Sequence, residues 1–191
     1  PFPGSQRHET IEVAYFIESH VNLFRIVGLT VILYPVILFF RSKSTKTKTI
    51  VATLIAAWLV IIYLFNFQFL AEKMFYQPQN RIFLSTDKNK ISGKQLVLGL
   101  SINGEQKAYP IELIGYHHQV RDVVGGEPVM VTYCTVCRTG RVFSPAVDGQ
   151  PEDFRLVGMD HFNAMFEDSR TKSWWRQVNG EAIVGPLKGN F

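Results

Sequence analysis

The sequence predicts a transmembrane hairpin of two α-helices followed by a mostly antiparallel β domain with minor helix. Three features predict it. Residues 26–40 and 50–70 are uncharged apolar runs, and residues 41–49 between them form a short basic loop. After residue 95 the dipeptides Asn103-Gly104, Gly125-Gly126, Asp148-Gly149 and Asn179-Gly180 sit between strand-like runs. Such pairs supply the positive φ that tight hairpins require.

Residues 1–20 read as a juxtamembrane piece, in which Ile11, Ala14, Tyr15 and Glu18 fall at helical spacing after Thr10, an expected N-cap. The hairpin follows over residues 21–70. Its second run has 21 residues without a charge, which at about 1.5 Å per residue covers a hydrocarbon core of ~30 Å. The first run follows Arg25, which is expected to snorkel towards headgroups, and contains Pro35, tolerable beside a second helix. A pair of buried soluble helices is the bland alternative. Neither run precedes a small-residue cleavage site, so neither reads as a cleaved signal. The chain begins at Pro1, which leaves the native N-terminus open. Aromatics crowd the end of the second run and its exit, with Phe65, Phe67, Phe69, Phe75 and Tyr76, and Asn66 and Gln68 lie among them.

The loop at 41–49 carries four cations, as many as the formal net charge of +4 for the whole chain of 191 residues. The pI of 9.1 is therefore a matter of topology rather than a basic face for nucleic acid, and no Gly-rich loop suggests a nucleotide. Loops rich in Lys and Arg stay in the cytoplasm. Both termini and the β domain over residues 80–191 are thus expected on the outer, periplasmic side.

Within that domain the four dipeptides predict hairpins between 95–102 and 105–109, 119–124 and 128–133, 141–147 and 154–159, and 174–178 and 182–184. Residues 111–115 and 161–166 read as short helical turns. Of the tandem Trp174-Trp175, one ring is expected in the core and the other outside.

The two cysteines, Cys134 and Cys137, are separated by two residues, close enough to form a disulfide or to share a soft metal ion. Arg138 follows Cys137, where c-type haem attachment needs His. The pair leaves one strand and meets Gly140 before the next, unlike a thioredoxin site at the start of a helix. Arg138 and Arg141 are expected to favour the thiolate. In an oxidising compartment a closed disulfide is the plain reading. Cys134 and Cys137 with His161 and Met159 form a candidate copper set, while zinc would draw on His117, His118 and His161. His117 and His118 on a strand would face opposite ways. Residues 158–165 could equally be a turn capped by Asn163, with Met159 and Met165 in the core. Cys137, His161 and Asn163 together have the composition of a thiol-nucleophile site. Asp160, Glu167, Asp168 and Glu181 are carboxylates of the kind that exposed turns usually hold.

Several segments together are recognisable. They are Tyr109-Pro110, Tyr116-His-His-Gln-Val-Arg-Asp122, Pro128-Val-Met-Val-Thr-Tyr-Cys-Thr-Val-Cys-Arg-Thr-Gly140, Phe154-Arg-Leu-Val-Gly-Met-Asp-His-Phe-Asn-Ala-Met-Phe-Glu-Asp168, Ser173-Trp-Trp-Arg-Gln177 and Gly180-Glu-Ala-Ile-Val-Gly-Pro-Leu187. Over residues 80–190 the chain resembles the bacterial family catalogued as domain of unknown function 3179. The resemblance implies a β-rich extracytoplasmic domain carrying this Cys pair, anchored here in the inner membrane. It implies no activity. Members usually continue past the Gly-Pro-Leu segment, so a further strand or helix is expected beyond Phe191.

Two functions follow as expectations. One is a non-enzymatic accessory subunit, its hairpin packed among other membrane-protein subunits and the lipid bilayer. The other is thiol-disulfide or copper-handling redox chemistry at the outer face.

Overall fold

The structure, a computed structural model, describes residues 9–191; the part of the juxtamembrane expectation that falls on residues 1–8 lies outside them. The described residues divide into two compact units, 9–70 and 71–191.

In the first unit, α1 (Ile11–Ser19) is followed by α2 (Val21–Arg41) and α3 (Thr45–Tyr63), the last continuing through a π turn, Leu64–Gln68. Thr10 precedes α1 as expected, but its hydroxyl does not cap the helix. The spans Val21–Arg41 and Thr45–Gln68, of 21 and 24 residues, are long and apolar enough to cross a membrane, and none of their side chains is buried. The basic connection is shorter than the expected 41–49. Ser44 caps α3 by accepting from Thr47 N, and Thr49 Oγ1 donates back to Thr45 O at 3.1 Å, so residues 45–49 are already helical.

Arg25 has partners on both apolar helices. Its Nε donates to Asn66 Oδ1 at 2.8 Å, one Nη donates to Asn22 Oδ1 at 2.8 Å, and the guanidinium lies 5.6 Å from the Phe67 ring centroid. Asn66 Nδ2 donates to Ile62 O, and Gln68 Nε2 donates to Tyr63 OH. The polar groups near this helix end are thus satisfied within the hairpin itself.

In the second unit, α4 (Ala71–Met74) precedes an irregular segment and then the strands. β1 (Val97–Ile102) pairs with β2 (Glu105–Pro110) around Asn103-Gly104. Helix α5 (Ile111–His117) confirms the helical turn expected at 111–115. β3 (Gln119–Val124), β4 (Glu127–Cys134) and β5 (Thr139–Phe143) form a three-stranded antiparallel sheet. β8 (Phe154–Asp160), β9 (Asn163–Asp168), β10 (Trp174–Arg176) and β11 (Ala182–Val184) form a second antiparallel sheet in the order β11-β10-β9-β8.

Three of the four expected hairpins are present. The third differs: Asp148-Gly149 joins only the short β6 (Ala146–Val147) and β7 (Gln150–Pro151), and β8 pairs with β9. The helical turn expected at 161–166 is instead a two-residue hairpin turn entering β9. Its central residues, His161 at φ 44° and Phe162 at φ 64°, occupy the left-handed region normally filled by Asn and Gly. Nothing in their residue types advertises a turn.

β4 runs between two cores, and its period of two assigns alternate residues to each. Met130 and Cys134 pack with Phe154, Leu156, Ala164 and Phe166. Val129 and Val131 pack with Tyr109, Ile114, Val120 and Val124. The turns of the first two hairpins also meet. Asn103 Nδ2 donates to Gly125 O at 2.9 Å, and Gly125 N donates to Glu105 Oε2 at 2.6 Å. Gly125 has φ 57°, and a Cβ there would strike Ile102 O. Gly125→Ala is therefore expected to cost roughly 2–4 kcal/mol, read as a lowered urea midpoint with unchanged m.

Candidate functional site: a Cys pair facing an asparagine

β4 ends at Cys134 and β5 begins at Thr139, so the Cys-Thr-Val-Cys-Arg stretch is the turn between paired strands, closed by Arg138 at φ 52°. Cys134 is fully buried, whereas Cys137 is partly exposed, and both are free thiols. The strained turn between β8 and β9 faces them: Cys134 Sγ donates to Phe162 O at 3.5 Å, and Asn163 Nδ2 donates to Cys137 Sγ at 3.0 Å. Strain of this kind, on bulky residues at positive φ, concentrates at functional sites.

The orientation of Asn163 follows from groups that have only one possible role. Val178 N–H can only donate, and it donates to Asn163 Oδ1 at 2.9 Å. Nδ2 is thereby turned to the sulfur. Gln177 secures its other hydrogen: Gln177 Nε2 donates to the Thr139 carbonyl at 3.0 Å and to Thr132 Oγ1 at 3.0 Å, which leaves Gln177 Oε1 to accept from Asn163 Nδ2 at 3.3 Å. Asn163 and Gln177 are both buried. The sulfur of Cys137 thus meets a preset donor, which favours its thiolate.

The two thiols are driven apart. For Cys134, burial is the largest influence and pushes the thiol up, reinforced by the hydrogen bond it shares with Cys137. For Cys137, burial also pushes up, but interactions with the side chains of Cys134, Thr139 and Asn163 outweigh it and hold the thiol below its ordinary value. The arginines expected to do this are not the cause. Arg141 instead donates to Val178 O and Gly140 O, and Arg138 walls an adjoining groove of about 620 Å³ with Phe75, Tyr133, Val136, Leu156 and Met159.

His161 Nδ1 is 2.7 Å from Asp160 Oδ1, and of the two methionines expected in the core Met165 is buried while Met159 is half-exposed on the groove wall. Among the described residues, no three His, Cys, Asp or Glu side chains converge to hold a metal ion. His117 and His118 are not on a strand; His117 ends α5, and His118 is its C-cap at φ 63°. Both grip the segment leading into the domain. His117 Nδ1 lies 2.6 Å from Tyr76 O, and the His118 ring centroid lies 4.6 Å from that of Phe75.

Three of the four carboxylates are buried strand residues rather than turn residues. Asp160 accepts from Arg176, Glu167 from Arg155 and Trp174 Nε1, and Asp168 from Thr171, Ser173 and Trp175 Nε1. Only Glu181 is outside this pattern, partly exposed beside Arg176. Both indoles therefore end on a carboxylate; Trp174 is buried and Trp175 packs at the edge of the core around Phe166.

Thr132, Thr139 and Gln177 are site residues that the sequence reading passed over. Each is an ordinary polar residue on or beside a strand, distinguished only by what the folded sheets bring opposite it.

No curated protein and no solved structure matches the chain. A family model does match, over residues 78–191, which includes the whole Cys turn and the Asn163 hairpin, and the chain belongs to that family, described as protein of unknown function (DUF3179).

Proposed function

We propose that the β domain is a dithiol–disulfide exchange module tethered to the membrane by its hairpin. The observation that carries this reading is the Asn163 amide, held by Val178 N–H and Gln177 so that it donates to Cys137 Sγ. The partly exposed Cys137 is the attacking thiol, and the buried Cys134, kept protonated, resolves the intermediate.

The chemistry balances as a two-electron exchange. The Cys137 thiolate attacks one sulfur of a substrate disulfide, forming a mixed disulfide and expelling the other substrate sulfur as a thiolate, which takes a proton. Cys134 then loses its proton to water and attacks Cys137 Sγ. The Cys134–Cys137 bond forms and the second substrate thiol leaves. The substrate disulfide is reduced to two thiols and the pair is oxidised; in reverse, the pair serves as the oxidant. The groove beside the turn would take the apolar surroundings of the substrate disulfide.

The four cations between the apolar helices support a placement of this domain on the outer face of a bacterial inner membrane, where disulfide chemistry is useful. The accessory-subunit reading gains less support, because Asn66 and Gln68 find partners inside the hairpin.

The test is to equilibrate the full chain, in nanodiscs, with mixtures of reduced and oxidised glutathione, then trap free thiols with a maleimide. A single two-electron transition forming the Cys134–Cys137 bond is expected. Cys134→Ser should stop at a mixed disulfide on Cys137. A protein in which Cys137 stays inert to oxidised glutathione would end the proposal.

A further inference from the structure

The charge of the second unit is unevenly placed. Residues 71–96 carry five Lys or Arg (Lys73, Arg81, Lys88, Lys90 and Lys94) against Glu72 and Asp87, whereas residues 97–191 carry nine against eleven Asp or Glu. In the strand body Lys107, Arg121, Arg155, Arg170 and Arg176 each pair with a carboxylate. Among the described residues no ion pair engages Arg81, Lys88, Lys90 or Lys94, and all three lysines are exposed.

Apolar side chains lie between these cations. Ile82 is 84% exposed, Leu84 53% and Leu96 75%. Phe83 between the first two is held down, its ring centroid 5.4 Å from that of Tyr109 and 4.9 Å from Lys107 Nζ. That contact fixes the strap on the sheet and leaves its apolar neighbours uncovered. Cations beside exposed apolar side chains suit an anionic lipid surface, which offers phosphates to the lysines and acyl chains to the aliphatics. The chain also bounds how far this strap can stray. Ile82 follows Gln68, the last residue of the second apolar span, by 14 residues, which is no more than about 50 Å of extended chain.

We propose that residues 81–96 dock on the surface of an anionic bilayer, with Ile82, Leu84 and Leu96 entering the headgroup boundary and Arg81, Lys88, Lys90 and Lys94 meeting lipid phosphates. This interface holds whichever side of the membrane the domain occupies, and it does not depend on the thiol chemistry.

The experiment uses the full chain in nanodiscs of phosphatidylcholine alone or with a third phosphatidylglycerol, read by amide hydrogen exchange and by adducts from a diazirine-bearing phosphatidylglycerol. Exchange over 81–96 should slow at least tenfold in the anionic discs, and adducts should map to residues 82–84 as well as to the two spans. The triple variant K88Q/K90Q/K94Q, or 0.5 M salt, should return exchange to the phosphatidylcholine rate. Adducts confined to residues 21–68, or equal exchange in both lipids, would overturn the proposal and would point to a protein as the occupant of the strap. Adducts in the spans verify insertion in either case.

Discussion

Asn163→Asp is expected to shift the pH midpoint of Cys137 alkylation upward by more than one unit, so that the rate at pH 7 falls at least tenfold. The substitution conserves shape, and Asp can still accept from Val178 N–H with the oxygen that replaces Oδ1. The second oxygen, however, would stand where Nδ2 now donates to Cys137 Sγ at 3.0 Å and to Gln177 Oε1 at 3.3 Å. A donor becomes an acceptor, and a negative charge is set beside the sulfur; both disfavour the thiolate. One unit corresponds to about 1.4 kcal/mol between the two protonation states. Thr139→Val removes an influence on the same thiol no weaker than that of the Asn163 amide but sets no charge beside it, so a smaller upward shift than that of Asn163→Asp is expected from it. Alkylation is measured in the Cys134→Ser background so that one thiol reports, with near-ultraviolet circular dichroism confirming that each variant keeps its fold. If the Asn163→Asp profile superimposes on that of the parent, the asparagine does not tune the thiol.

The coarse fold was legible because its signals are local. Uncharged runs long enough for a bilayer, and the dipeptides at 103–104, 125–126 and 179–180, carry their meaning within a few residues. A turn was legible at 158–165, but not that it is a two-residue hairpin turn, because His161 and Phe162 adopt positive φ without Gly, Asn or Asp to signal it. That one hidden hairpin decided two further expectations: without it, β9 is not seen as the partner of β8, and Asp148-Gly149 is credited with a longer hairpin than it closes. The site was half legible. Cys134, Cys137 and Asn163 stand out by residue type, yet the contact between Cys137 and Asn163 spans 26 positions and depends on the facing of two turns from different sheets. Gln177 and Thr139 carry no such signal at all. Their importance comes from hydrogen bonds whose partners are 14 to 45 residues away along the chain. The arginines beside the cysteines misled for the complementary reason, since closeness in sequence on a turn does not aim a side chain at its neighbour.

Asp168→Ala is expected to be the most destabilising single change in the β unit, by about 3–5 kcal/mol at pH 7. The Asp168 carboxylate is fully buried at the end of β9 and organises the return to β10. It accepts from Thr171 N at 2.5 Å, Thr171 Oγ1 at 2.6 Å, Ser173 N at 3.1 Å and Trp175 Nε1 at 2.9 Å. Truncation takes the acceptor from Thr171 N and Trp175 Nε1 and leaves Ser173 N and Thr171 Oγ1 only their bonds to Thr171 Oγ1 at 3.2 Å and Ser173 Oγ at 2.8 Å. Burial pushes this carboxyl up, but the bonds from Thr171, Trp175 and Ser173 outweigh it and hold it below the ordinary value of 3.8. A carboxylate depressed in the native state stabilises fully above its unfolded value, and that contribution is lost as pH falls through the lower native one. The parent should therefore lose stability below about pH 4, and the gap between parent and Asp168→Asn should narrow over the same interval, because Asn has no proton to gain. Urea unfolding of the full chain at pH 7 and pH 3, followed by the near-ultraviolet signal of Trp174 and Trp175, measures both. A gap that stays constant across that range would mean that the four donors stabilise the turn without depending on the charge they surround.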